Sequence, residues 1–393
     1  MPGPLDGIRV LDLTSNFMGP YASLLLADMG ADVAKVEAPA GDTTRGVGPA
    51  RNPGMAAIFL HLNRNKRSLV LDLKTTEGRD AVRRMARRAD VLLHSLRPAA
   101  MRRLGLSYAD LSEDNPRMVY CGCFGFGQDG PYAAKPAYDD LIQAAVGMPV
   151  LQSRKQGEPQ YVATAVADRV VGMAASSAVA MALLHRERTG RGQEVEVPMF
   201  ETFAHFTMGD HLYGHTFSPP IGDWGYARMM NADRRPYRTL DGYLGVNVYT
   251  DRHWQRFFAA VGRPDLAVDP RFATIAGRTE NIGELYAFLA EVFATRSTDE
   301  WVKILEDADI PAIRMNTPDT LLDDPHMTAV GFFAETDHPS EGRLRTIGIP
   351  QRWSESAPEQ RHRAPRLGEH SAELLREYGF DRSEIEILTE ERS

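Results

Sequence analysis

Arg9-Val-Leu-Asp-Leu13, the apolar-spaced residues 20–29, Gly30, and then Asp32-Val-Ala-Lys-Val-Glu37: the reading of this stretch decides the fold. The two short runs rich in valine and leucine read as strands. Between them, residues 20–29 carry helical apolar spacing, and Gly30 stands where a helix end wants a left-handed residue. Strand, helix and strand of these lengths form a parallel unit with a right-handed crossover. The pattern repeats outward. Strands are expected over 68–73, 90–94 and 118–124, with a helix over 77–89 behind the cap candidates Thr75 and Thr76. A long helix over 168–187 follows, ending at Gly190. Its interior holds small residues such as Gly172, Ala175, Ser176 and Ala182, which let another backbone approach closely. Gln193-Glu-Val-Glu-Val197 is the next strand, and a helix starts at Phe200. The fold class is therefore α/β with a parallel sheet, in which ligands bind beyond the carboxyl ends of the strands.

Leu13 is followed by Thr14-Ser-Asn-Phe-Met-Gly-Pro20, which has one glycine where a dinucleotide fingerprint needs three. No Gly-Lys-Ser/Thr occurs, so a phosphate-binding P-loop is excluded as well. The 393 residues are 43% hydrophobic and 25% charged, as in an ordinary globular protein. No apolar run approaches the 18 or so residues needed to span a bilayer. Residues 1–10 lack the basic and apolar regions of a secretion signal, so a cytoplasmic location is expected. Cys121 and Cys123, within Met118-Val-Tyr-Cys-Gly-Cys-Phe124, read as core residues of a strand, with no metal site expected. The net charge of −8 argues against a nucleic-acid partner. Yet eight arginines lie between Arg79 and Arg103. Arg83, Arg84, Arg87 and Arg88 fit a solvated helix face. Arg97, Arg102 and Arg103 follow a strand, where a phosphorylated ligand would sit.

The texture changes over 216–233, where Pro219, Pro220, Gly222 and Gly225 mark a linker or loop. A smaller α+β region follows, with strands over 242–249 and 310–315 and helices over 251–261, 282–294 and 298–308. Strand texture returns after Gly331. The expected division is a large domain of 1–217 with 332–393, and a linker with a small domain over 218–331.

Several blocks, in order and nearly end to end, resemble the class III CoA-transferases. They are Pro4-Leu-Asp-Gly-Ile-Arg-Val-Leu-Asp-Leu13, Gly30-Ala-Asp-Val-Ala-Lys-Val-Glu37, Leu62-Asn-Arg-Asn-Lys-Arg-Ser68 and Gly125-Phe-Gly-Gln-Asp-Gly-Pro131. Leu184-His-Arg-Glu-Arg-Thr-Gly-Arg-Gly-Gln193, Pro236-Tyr-Arg-Thr239 and Ala364-Pro-Arg-Leu-Gly-Glu-His370 extend the match. The resemblance implies a Rossmann-like large domain, an intertwined homodimer, and transfer of CoA between an acyl-CoA and a free carboxylate. CoA thioesters are then substrates, and no tightly bound cofactor is expected. The family also includes α-methylacyl-CoA racemases, so a racemase or acyl-CoA isomerase is the first alternative. A non-catalytic CoA-binding protein is the second.

The family's catalytic carboxylate matches Asp168, in Val166-Ala-Asp-Arg-Val170. Taken alone, an aspartate at a helix start reads as an N-cap. The resemblance makes it the nucleophile that forms a mixed anhydride and then an aspartyl-CoA thioester. The racemases' histidine matches Tyr138, and a phenol of pKa near ~10 is a poor general base, which favours transfer. CoA contacts carried over by match are Phe17, Lys74, Ser95, Leu96, Arg97, Arg103, Tyr138 and Met199. Formyl-CoA transferases have a glutamine at the position of Phe17, and a glycine run that residues 218–235 lack. Trp224, Tyr226, Met229 and Met230 point to a larger, partly apolar acyl chain. Arg45 and Arg51 are candidates for a second carboxylate.

Overall fold

The computed structural model describes residues 3–390; the outermost ends of the expected large domain, 1–2 and 391–393, lie outside them. Six strands form one parallel sheet: β1 (Arg9–Leu13), β2 (Asp32–Glu37), β3 (Lys66–Val70), β4 (Val91–His94), β5 (Val119–Phe124) and β6 (Gln193–Pro198). Their order is β3-β2-β1-β4-β5-β6, and Val10 pairs with Val33 on one side and Val91 on the other. The chain winds outward in one direction from β1 and in the other from β4. The loops after these two strands therefore diverge and leave a crevice at the switch point. Val10, Leu11, Val91, Leu92 and Leu93 are fully buried, as both-face coverage by helices requires.

The helices that accompany these strands through His211 are α1 (Met18–Asp28), α2 (Ala57–Leu62), α3 (Thr76–Ala86), α4 (Pro98–Leu104), α5 (Tyr108–Ser112), α6 (Asp139–Ala145), α7 (Met148–Gln156), α8 (Val166–Thr189) and α9 (Met199–His211). Thr75 caps α3, its hydroxyl accepting from the Gly78 N–H at 3.0 Å. α8 packs along α1. At Gly172 a Cβ would lie 2.8 Å from the Met18 carbonyl oxygen and 3.0 Å from the Tyr21 ring, so this contact needs a residue without a side chain. Over an 18-residue window α8 is long and apolar enough to cross a membrane, which corrects the sequence expectation. Its valines, leucines, methionines and alanines supply that hydropathy, and Val171, Gly172, Ala175, Val179 and Ala182 are buried within the protein.

The sheet interior also carries charge. Asp12, Lys35 and Lys66 are each 0% exposed. Lys35 Nζ lies 2.8 Å from Asp42 and donates to the Thr14 carbonyl at 3.0 Å. Lys66 Nζ lies 3.4 Å from Asp12 and donates to the Pro20 carbonyl at 2.8 Å. Both ends of the β1–α1 loop are thus tied to buried ammonium groups.

The chain forms two compact units: Met1–Val146, Val162–Phe206 and Thr328–Ser393, and Gly147–Tyr161 with Thr207–Met327. The second unit takes in 147–161 and starts at Thr207, earlier than the expected 218. It contains an antiparallel sheet of β7 (Tyr237–Arg238), β8 (Tyr243–Val246) and β9 (Ala312–Arg314). Trp254, Phe257, Phe293 and Trp301 fill its core. The last segment returns to the first unit with the hairpin β10 (Phe333–His338) and β11 (Gly342–Ile347). Its helix over Ser371–Glu377 is tied down by Arg67, which bonds Glu373 and Glu377 at 2.8 Å.

Candidate active site

Two cavities open at the switch point, both formed within the first unit. One, of about 320 Å³, is lined by the loop after β1 (Ser15, Asn16, Phe17, Met18), the start of the β4–α4 connection, the 123–138 segment, Asp168 and Met199. The other, of about 640 Å³, lies over the ends of β1 to β4 and is lined by Glu37, Asp42, Leu73, Lys74, Leu96 and Arg103 among others. Ser15 lines both. Its N–H donates to the Ser95 hydroxyl at 3.2 Å, joining the two switch-point loops.

Asp168 is the third residue of α8, and the N-cap is Ala165, so the capping role does not hold. The side chain is half-buried in the smaller cavity. Its carboxylate accepts from the Met18 N–H, at the start of α1. Burial, and then the neighbouring Asp139 carboxylate, push its pKa up to about 7, against the pull of Arg169 and the Met18 bond. Asp139 is held in place. It accepts from the Asp168 N–H at 3.0 Å and from the Gln143 amide at 2.6 Å, and Gln143 in turn accepts from the Val162 N–H at 2.9 Å.

The predicted residues fall into two sets. Phe17, Ser95, Arg97, Tyr138 and Met199 line the Asp168 cavity. Lys74, Leu96 and Arg103 line the larger one. Phe17 stands at the N-cap of α1 behind Asn16, whose φ is +68°. Arg97 is the N-cap of α4, and Arg103 lies in its last turn. Met199 is 3% exposed, and Tyr138 is 64% exposed.

Two further arginines have partners within the chain. Arg45 lies buried, bonding Glu37 through two nitrogens at 2.7 Å, and Arg51 bonds the Glu341 carbonyl. Neither lines the Asp168 cavity. Trp224, Tyr226, Met229 and Met230 belong to the second unit.

The sequence reading missed Asp139, Lys135 and Arg79. Asp139 and Lys135 are close neighbours of Tyr138 in the sequence. The contact that matters for Asp139 spans 29 residues of chain, and no local spacing reports it. Arg79 was grouped with the basic run. It donates to the Lys74 carbonyl at 2.9 Å and lines the larger cavity, whereas Arg84 pairs with Glu384 and Arg87 with Asp114 on the surface.

The model of CoA-transferase family III matches residues 5–371. The chain belongs to this family. A probable fatty acyl-CoA transferase of Mycobacterium tuberculosis is 35% identical over 391 residues, covering 95% of this chain and 97% of the relative. The crystal structure of that mycobacterial protein in an orthorhombic form superposes with a TM-score of 0.83 at 33% identity, covering 94% of this chain and 99% of the other. A succinate–glutarate CoA-transferase of Agrobacterium fabrum is 33% identical over 387 residues, covering 95% of both chains. The chain is thus an enzyme of family III.

Proposed function

We propose that this family III enzyme moves CoA from an acyl-CoA to a free carboxylate through covalent intermediates on Asp168. The observation that carries the reading is the carboxylate of Asp168 facing the smaller cavity, hydrogen-bonded by the Met18 N–H and one shared residue away from the larger cavity. The nucleotide of CoA would occupy the larger cavity, where Lys74, Arg79 and Arg103 offer positive charge and Leu73, Leu96 and Leu104 an apolar floor. The pantetheine arm would pass Ser15 and the 95–97 loop, bringing its thioester to Asp168.

In the first half-reaction the Asp168 carboxylate attacks the thioester carbonyl, the C–S bond breaks, and the CoA thiolate leaves behind a mixed anhydride. The thiolate then attacks the aspartyl carbonyl of that anhydride, releasing the original acyl group as a free carboxylate and leaving an aspartyl-CoA thioester. The acceptor carboxylate reverses these steps and regenerates Asp168. No net proton is gained or lost. The Met18 N–H at the positive end of α1 is placed to stabilise charge on the aspartyl oxygen as each tetrahedral centre forms. The cavity would hold the reactants together and limit the access of water to the anhydride.

The protein is read as a cytoplasmic homodimer. Support for self-association is the apolar surface that the first unit leaves exposed on α8 and α9, with Met173 48%, Met181 67%, Leu184 52% and Phe206 55% exposed. Equilibrium sedimentation is expected to give a dimer, and an active monomer would contradict it. For the chemistry, intact mass spectrometry after incubation with a panel of acyl-CoAs is expected to give a covalent adduct that peptide mapping assigns to Asp168. Asp168→Asn should bind CoA, form no adduct and lose transfer by roughly a thousandfold or more. Turnover by wild type with no adduct, or an adduct mapped elsewhere, would overturn the mechanism.

A further inference from the structure

The loop between β1 and α1 turns at Asn16, whose φ of +68° lies in the left-handed region. A side chain makes that conformation costly, although asparagine tolerates it better than most residues. Contacts from the neighbouring loop hold it there. The Asn16 N–H donates to Oδ1 of Asp42 at 3.3 Å, and the Asn16 side-chain oxygen accepts from the Thr43 hydroxyl. Asp42 is itself fixed: it is 5% exposed, accepts from the Thr44 N–H at 2.9 Å and meets the Lys35 ammonium at 2.8 Å. Lys35 also donates to the Thr14 carbonyl, and the Ser15 N–H donates to Ser95. Residues 14, 15 and 16 are thus each tied to a neighbouring element of the sheet.

The helix that follows starts open. The N-cap of α1 is Phe17, whose ring has no acceptor, and no side chain caps the helix there. Asn16 and Asp42 carry oxygens of the kind that cap helices, but these are committed within the two loops. The first N–H groups of a helix have no partner inside it, and that of Met18 finds one in the Asp168 carboxylate. We infer that Asn16 is a positioning residue for the transfer reaction: held left-handed by Asp42 and Thr43, it turns the chain so that the uncapped start of α1 presents the Met18 N–H to Asp168. This inference rests on the transfer reading above, in which that N–H stabilises charge on the aspartyl oxygen. Asn16 lines the Asp168 cavity, whereas Asp42 and Thr43 line the larger one. The hold on the loop therefore comes from the side where the nucleotide would bind.

The test compares two substitutions at Asn16 in the rate at which succinyl-CoA labels Asp168, followed by intact mass across a range of pH. Glycine takes the left-handed conformation freely, whereas valine, branched at Cβ, resists it. Asn16→Val should bind CoA and be labelled about tenfold more slowly than wild type at neutral pH, the scale of the left-handed penalty. Its rising limb should also move above the wild-type value of about 7, because the Met18 bond favours the ionised carboxylate while burial, Asp139 and Arg169 are unchanged. Asn16→Gly should stay close to wild type in both rate and limb. Thr43→Val, which removes the hydroxyl that holds Asn16, should fall between the two. Labelling of Asn16→Val at the wild-type rate, equal losses in Asn16→Val and Asn16→Gly, or a slower Asn16→Val with an unmoved limb overturns the inference. If Asn16→Val does not fold, Asn16→Ala, which lacks the branch, carries the same three outcomes. Absence of any Asp168 adduct in wild type would instead count against the transfer reading, so the two failures are distinguishable.

Discussion

The backbone N–H of Asp168 donates to Oδ1 of Asp139 across 3.0 Å, which brings a second carboxylate to the start of the helix that carries the proposed nucleophile. A like charge this close disfavours ionisation and adds to the effect of burial. Together they raise the Asp168 pKa from 3.8 to about 7. A carboxylate so adjusted is a stronger nucleophile once ionised, at the cost of a smaller ionised fraction at neutral pH.

Transfer needs ionised Asp168, so kcat/KM should rise with pH through an apparent pKa near 7. Asp139→Asn keeps a hydrogen-bond acceptor and removes the charge. Its rising limb should move to lower pH, yet stay above 3.8 because burial, the larger cause, remains. Stability follows the same linkage with a definite sign. The folded protein retains a proton that the unfolded chain releases between pH 3.8 and about 7, so the stability it provides is lost as pH rises through 7. Asp168→Asn should therefore gain on wild type in urea unfolding at pH 8, and not at pH 3.5. A pH–rate profile unmoved by Asp139→Asn would remove Asp139 from this role.

Arg97 and Arg103 were expected to act together on the CoA phosphates, but they line different cavities. Their variants should separate. Arg103→Ala should weaken binding of adenosine 3′,5′-bisphosphate about tenfold or more, as loss of a charge-assisted contact does, while Arg97→Ala should weaken binding of intact CoA and leave the bisphosphate unchanged. Calorimetric titration of both ligands against both variants makes the comparison. Equal losses for the bisphosphate would place both arginines at the nucleotide.

The first parallel strands and the small-residue helix were legible because each rests on local pattern or on a contiguous block. What escaped the sequence is long-range pairing. Arg45 looks like a free cation until Glu37 and the Pro365 carbonyl are folded against it. Lys35 and Lys66 sit in runs that read as strands, and nothing local shows that Asp42 and Asp12 make their burial tolerable.

The buried charges make a stability prediction. Lys66→Met removes the partner of Asp12 and the donor to the Pro20 carbonyl, leaving a carboxylate that is 0% exposed. Breaking such a pair typically costs about 3–5 kcal/mol. Asp12→Asn combined with Lys66→Met removes both charges. The single amide oxygen introduced by Asp12→Asn could still accept from the Thr14 hydroxyl, which reaches Oδ1 of Asp12 at 2.5 Å, while the Ser23 hydroxyl, now on Oδ2, would turn to accept from the new amide N–H. The double variant should be more stable than Lys66→Met alone, a non-additivity that urea unfolding of the two single variants and the double would show. Additive losses would mean that the pair contributes nothing as a pair.

Phe17 bears on which acyl group is accepted. It lines the Asp168 cavity immediately before Met18, whose N–H reaches the Asp168 carboxylate. Formyl and oxalyl groups are small and polar, and a site for them needs fixed donors where the formyl-CoA enzymes carry a glutamine amide. A phenyl ring donates nothing and fills that space with apolar surface. Apolar contacts discriminate modestly, by about 10- to 200-fold, whereas an unpaired polar group in a closed site is rejected more strongly. The enzyme should therefore show at least a tenfold lower kcat/KM for formyl-CoA with oxalate than for succinyl-CoA with glutarate. Phe17→Gln should narrow that gap by improving the formyl pair and weakening the longer one. Wild-type preference for formyl-CoA and oxalate would show that the ring does not set the acyl size, and a gap left unchanged in Phe17→Gln would move the selection to another part of the cavity.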